Sequence, residues 1–175
     1  MGGNEVILTG GSYNIYNLVI NGSGTLVLNP GTYNVNCITL TGGGNISIVA
    51  PSGSSGGVML NVAGSGCSTP IDLSGGTFAN NTGVAANFLM NYAGSGTVSV
   101  SGGAGAYMAV YAPSASVNIS GGTAIWGALV GAKITDTGGA SMHYDANLGS
   151  HGVPISAGGG TTLPAYKIAF RELMY

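Results

Sequence analysis

The chain holds 175 residues and 17.1 kDa, enough for one domain with its own core and too little for two ordinary ones. Charged residues make up 5%, Lys and Arg together number three, and the net charge is -2, which leaves no basic stripe for nucleic acid and few groups for a reaction centre. The 34 glycines follow no three-residue period, excluding collagen, and 45% hydrophobic residues exclude simple disorder.

The opening Met1-Gly2-Gly3-Asn4-Glu5 lacks the basic start and apolar middle of a secretory signal. No apolar run approaches the roughly 18–20 residues that a membrane span needs. The expectation is a fragment of a longer exported chain, extracellular or on the cell surface, with no membrane contact of its own. Between Val6 and Ala132, Asp72 is the only Asp, Glu, Lys or Arg.

A short motif then recurs along the chain. Val6-Ile7-Leu8-Thr9-Gly10-Gly11 reappears as Ile38-Thr39-Leu40-Thr41-Gly42-Gly43 and as Ile71-Asp72-Leu73-Ser74-Gly75-Gly76. It returns as Val98-Ser99-Val100-Ser101-Gly102-Gly103, as Val117-Asn118-Ile119-Ser120-Gly121-Gly122, and in degenerate form as Ile134-Thr135-Asp136-Thr137-Gly138-Gly139. Apolar residues at every second position predict a strand with one buried face, and the Gly pair predicts a turn. A second strand type lies between copies: Val58-Met59-Leu60-Asn61-Val62 resembles Phe88-Leu89-Met90-Asn91-Tyr92, and the series continues through 107–113 and 126–132. No stretch carries helical spacing.

Short strands, glycine corners and near-regular recurrence predict an all-β, single-stranded-coil β-solenoid (β-helix) with Gly-Gly corners and roughly 17–19 residues per turn. The domain is expected to run over 1–162. A capping strand of the same domain follows at 163–175, where Tyr166, Ile168 and Phe170 alternate with Lys167, Ala169 and Arg171. Val98, Val117 and Ile134 are expected to form one inward stack, with Val100 and Ile119 beside them. Ser, Thr and Asn are expected to form uncharged ladders outside.

The same register predicts an aromatic column of Phe88, Tyr107, Trp126 and His143, with Tyr92 and Tyr111 on its face. Two readings stand: a structural ladder filling an internal corner, or an outward strip that meets sugar rings or another flat surface. His143 and Asp145 lie two apart on one strand face, within reach of a hydrogen bond, but no third catalytic partner is identifiable. Asp136 occupies an apolar slot of the repeat, and His151 falls in a Gly-rich loop. No catalytic residue, cofactor or metal site is expected. Cys37 and Cys67, the only cysteines, read equally as one disulfide or as two buried thiols.

Tyr111-Ala112-Pro113-Ser114-Ala115, Ser120-Gly121, Trp126-Gly127-Ala128-Leu129-Val130-Gly131 and His143-Tyr144-Asp145, in that order, resemble a β-solenoid domain of unassigned activity. That domain lies near the C-termini of bacterial pilus-associated proteins of the PilX and Tad-pilus type. The ending Phe170-Arg171-Glu172-Leu173 is similar to the Trp-Arg-Glu-Leu close often seen there. The resemblance implies an envelope location and brings no catalytic residues with it.

The expected function is therefore a non-enzymatic, surface-displayed structural or adhesive module, with pilus or envelope proteins or surface glycans as partners and no nucleic acid. The alternatives are a self-assembling filament subunit like the bactofilins, an ice-binding solenoid, and a carbohydrate-active enzyme or lectin.

Overall fold

The computed structural model describes residues 4–49, 56–101, 106–122, 124–146 and 148. His151, expected in a Gly-rich loop, and the expected capping strand at 163–175 with its domain boundary lie outside the described residues.

The protein is all-β. β1 (Glu5–Leu8), β3 (Thr25–Leu28), β5 (Gly44–Ile48) and β8 (Gly76–Asn80) form a four-stranded sheet in that order. The second sheet contains β2 (Gly11–Ile20), β4 (Gly31–Leu40), β6 (Val58–Val62), β7 (Ile71–Leu73), β9 (Phe88–Tyr92), β10 (Thr97–Ser101), β11 (Ala106–Ser120), β12 (Ala124–Thr137) and β13 (Ser141–Tyr144). Every pairing among the described residues is parallel. A 3-10 turn at Ala85–Asn87 precedes β9.

This pairing corrects the expected coil. β4 is long enough to serve two neighbours, meeting β6 through Gly31–Val35 and β7 through Ile38–Thr39. β11 likewise meets β9 through Ala109–Tyr111 and β10 through Ser116–Ser120. Because β6 pairs with β9 and β7 with β10, six strands close on themselves as a parallel β-barrel, with a separate sheet beside it. The chain is not a single-stranded-coil β-solenoid. Nor is its spacing a uniform 17–19 residues. Trp126 pairs with His143, but Gly31 pairs with Val58 and Ile38 with Ile71, offsets of 27 and 33. Connections such as 63–70 and 81–87 lengthen the path between partners without disturbing the pairing, since a longer loop costs little closure entropy.

Alternation explains which side chains fill the core. Val98 and Val117 pair and are fully buried, Val100 and Ile119 lie beside them, and Ile71 extends the column. Ile134 keeps the register with Val117 but is 41% exposed, a departure from the expected inward stack. Beyond Lys133–Thr137, β12 meets no further strand among the described residues, as β13 pairs only with Ala124–Gly127. The same open edge exposes Asp136, which follows Ile119 in register. Four of the motif's Gly pairs (10 and 11, 42 and 43, 121 and 122, 138 and 139) take positive φ, as a turn without side chains permits.

Tyr33 closes one end of the core. It stacks on Tyr13 with centroids 5.2 Å apart, and its hydroxyl donates to the Asn29 carbonyl at 2.6 Å. Burial pushes its phenol above the usual range and the neighbouring Tyr13 adds to this, against the lowering effect of that hydrogen bond. A raised folded value means this contribution is intact below the unfolded tyrosine value, about pH 10, and is lost as pH rises beyond it. Alkaline titration of wild type and Tyr33→Phe is expected to show a steeper loss of stability above pH 10 in the wild type; parallel curves would remove Tyr33 as the cause.

Candidate functional site: an outward aromatic strip

Ala106, Met108 and Ile125 point inward and are buried, so alternation turns Tyr107 on β11 and Trp126 on β12 to the outer face. Tyr107 pairs with Trp126 and Trp126 with His143 on β13. The rings stack with centroids 6.0 Å apart at 20° for the first pair and 4.0 Å apart at 16° for the second. Exposure rises along the strip: Tyr107 is half-buried, Trp126 37% exposed and His143 exposed. Phe88 is not a member. It pairs with Val58, is 1% exposed, and packs on Phe78 at 4.6 Å. Tyr92 is buried as well, its hydroxyl accepting the Gly96 N–H at 3.0 Å, whereas Tyr111 is half-buried.

The stacking decides what this strip offers. Rings facing one another along the pairing direction cover each other's π-faces and turn their positively polarised edges outward. The phenol O–H, the indole N–H and the imidazole nitrogens belong to those edges. A sugar ring lying flat needs a free face, and the stack leaves only its two outer faces, that of half-buried Tyr107 and that of exposed His143 on β13. The strip therefore suits hydrogen-bond acceptors better than flat stacking partners.

A satellite cluster supports it from behind. Ala85, Leu89, Ala109 and Leu148 are buried together, with Tyr107, Met59, Ala86 and Ala128 packed around them. Asp145 ties this region together: its carboxylate accepts the Ala85 N–H at 3.0 Å, and its carbonyl accepts the Leu148 N–H at 3.0 Å. The hydrogen bond to Ala85 gives this carboxylate a structural partner that sequence spacing to His143 could not indicate.

Asn80 was hidden from the sequence too. It sits in an apolar column above Ile48, only 4% exposed, and satisfies every polar atom there. Its amide donates to the carbonyls of Val84 and Tyr107, both at 2.9 Å, and its carbonyl accepts Thr82 N–H at 3.1 Å and Thr82 hydroxyl at 2.6 Å. It thus fixes 81–87 and anchors the Tyr107 backbone. Asn80→Ala removes both donated bonds and leaves the Thr82 N–H without its acceptor, and is expected to cost roughly 2–4 kcal/mol by denaturant titration. A loss within error of zero would mean water replaces the amide.

Asparagines form a second outward feature. Asn34, Asn61 and Asn91 each donate from Nδ2 to the preceding Oδ1 of Asn14, Asn34 and Asn61, at 2.9, 2.9 and 3.0 Å. The ladder stops at Asn91, whose Oδ1 is buried without a partner, because Tyr111 holds the next position. Nearby, Cys37 and Cys67 form a disulfide with Cα atoms 6.5 Å apart, where the sequence left bonded and free thiols open. Asn36 holds the same loop, donating to Ser65 carbonyl at 3.0 Å and accepting Ser65 N–H at 2.8 Å.

Among the described residues, no three His, Cys, Asp or Glu side chains gather as a metal site, and no helix is long and apolar enough to cross a membrane. Asp72 accepts from Ser74 backbone and hydroxyl at 3.0 and 2.5 Å, and Asp136 accepts Ala140 N–H at 3.2 Å. Each carboxylate is thereby engaged in its own turn. No curated protein and no solved structure matches the chain. A family model does match, over residues 3–151, and by that coverage the chain belongs to the family described as Domain of unknown function (DUF7305).

Proposed function

We propose that this domain is a non-enzymatic module displayed on a bacterial surface, structural or adhesive in role and associated with a pilus or the envelope. The observation that carries the reading is the chemistry of its exterior. Uncharged Asn ladders and a stacked aromatic strip make adaptable contacts with proteins and glycans without the desolvation cost of charges. The Cys37–Cys67 disulfide supports an oxidising compartment, since such bonds persist outside the reducing cytosol. The ordered motifs between Tyr111 and Asp145 support the pilus association through their resemblance to PilX and Tad-type proteins.

The contact surface is the strip of Tyr107, Trp126 and His143. Its edges offer the Tyr107 O–H, the Trp126 N–H and one imidazole N–H of His143 as donors, so the favoured partners are acceptor-rich: carbonyl- or carboxylate-bearing glycans, or the backbone of a pilus protein. The test is antibody labelling of intact cells that express the native protein, before and after their pili are sheared off. Labelling of intact cells that falls on shearing, with the protein recovered in the pilus fraction, is expected. Labelling only after lysis would overturn the reading.

A further inference from the structure

Among the described residues, four of the eight exposed large hydrophobics, Val6, Ile7, Tyr16 and Val19, lie on β1 and β2. Among the described strands, β1 pairs only with β3 and β2 only with β4, so both present an unpaired edge. Val6 begins an inward column that continues through Leu26, Ile46 and Phe78, yet it is 54% exposed, since no described strand pairs beyond it. Val19 is stranger. It faces outward at 59% exposure in a column that otherwise reads Thr39, Asp72, Ser99 and Asn118. Beside it opens a cleft of about 400 Å3 bounded by Val6, Leu18, Ile20 and Leu26.

Edge strands exposed to water are normally blunted by Lys, Pro or inward charges. β1 and β2 carry no Pro and no base, and Glu5 is their only charge. An apolar core column cut open at an unguarded edge resembles half of a homodimer interface. We propose that this edge joins two copies of the chain about a two-fold axis, each placing its β1–β2 edge against that of its partner.

Charge selects a second copy in this orientation over head-to-tail stacking. The β1–β2 edge is nearly neutral, so like can meet like. The opposite edge carries the exposed Lys133 and Asp136 on β12. A head-to-tail contact would desolvate those charges. A two-fold contact leaves them in water and closes after one partner, as an isologous interface must. It also leaves the Tyr107–Trp126–His143 strip, which belongs to β11–β13, outside the interface.

Sedimentation velocity of the full chain, over a range of concentrations, tests this. The expected mass is about twice 17.1 kDa, falling to 17.1 kDa in Val19→Lys and in Ile7→Lys. Both side chains point outward, and unchanged circular dichroism in either variant shows that the fold is kept. In the wild-type dimer, amide exchange in β1 and β2 should slow relative to the variants. A mass of 17.1 kDa at every concentration overturns the proposal. So does a mass that climbs without limit, which is head-to-tail growth, or a dimer that only Met142→Lys dissociates. A monomeric full chain that dimerises once 149–175 are removed would assign the edge to that segment instead, and would also overturn it.

Discussion

Val117→Asp is expected to lower stability by roughly 3–5 kcal/mol, since it places an unpaired carboxylate between two strands. Val117 is fully buried, pairs with Val98 on one side and Ile134 on the other, and has the γ-methyl of its own side chain against Gly131. A domain of this size holds about 5–15 kcal/mol in total, so the variant should melt far below the wild type or fail to fold. An unchanged melting temperature would mean that this column does not face the core.

Gly127→Val should be comparably damaging, for a different reason. Gly127 follows Met108 in an inward column and has φ 149°, where side chains are disfavoured. A Cβ there would strike the Met108 carbonyl oxygen and press on the Ala85 methyl at 3.1 Å. Strain and overpacking together should cost about 3 kcal/mol or more. Trp126 is the only tryptophan and the immediate neighbour, so its fluorescence reports the displacement directly. Wild-type stability with an unshifted emission spectrum would show that β11 and β12 are not held this close.

Parts of this structure were legible in the sequence. The alternation and the offsets of 19 and 17 correctly align Val98 with Val117 and Tyr107 with Trp126 and His143. The same offset of 19 fails at Phe88 for a definite reason. Leu89 pairs with Ala109, an offset of 20, and one residue of slip sends a side chain to the opposite face of a strand. Phe88 therefore lies inward near Met108 instead of joining Tyr107 outside. Closure of the six strands was not legible, because it depends on β4 and β11 each serving two neighbours. β11 does so across a register break between Ala112 and Ser116, spanning Pro113, which periodicity alone does not reveal. Asn80 escaped for the converse reason: it fills an apolar slot, and its four hydrogen-bond partners come from a loop and a distant strand. Asp145 read as a partner for His143 from its spacing, while its carboxylate bonds a backbone N–H 60 residues away.

The proposed contact strip is held by the fold and is not required for it. Trp126→Ala addresses that most directly. The ring is 37% exposed and stacks on Tyr107 and His143, so its removal should cost only about 1–3 kcal/mol. The measurement is adhesion of wild-type and Trp126→Ala protein to isolated pili and to immobilised surface glycans, at a temperature where circular dichroism shows both folded. Attachment of the wild type to one of these, reduced at least tenfold in the folded variant, is the expected result. Equal attachment by both proteins, or attachment by neither, would contradict the account.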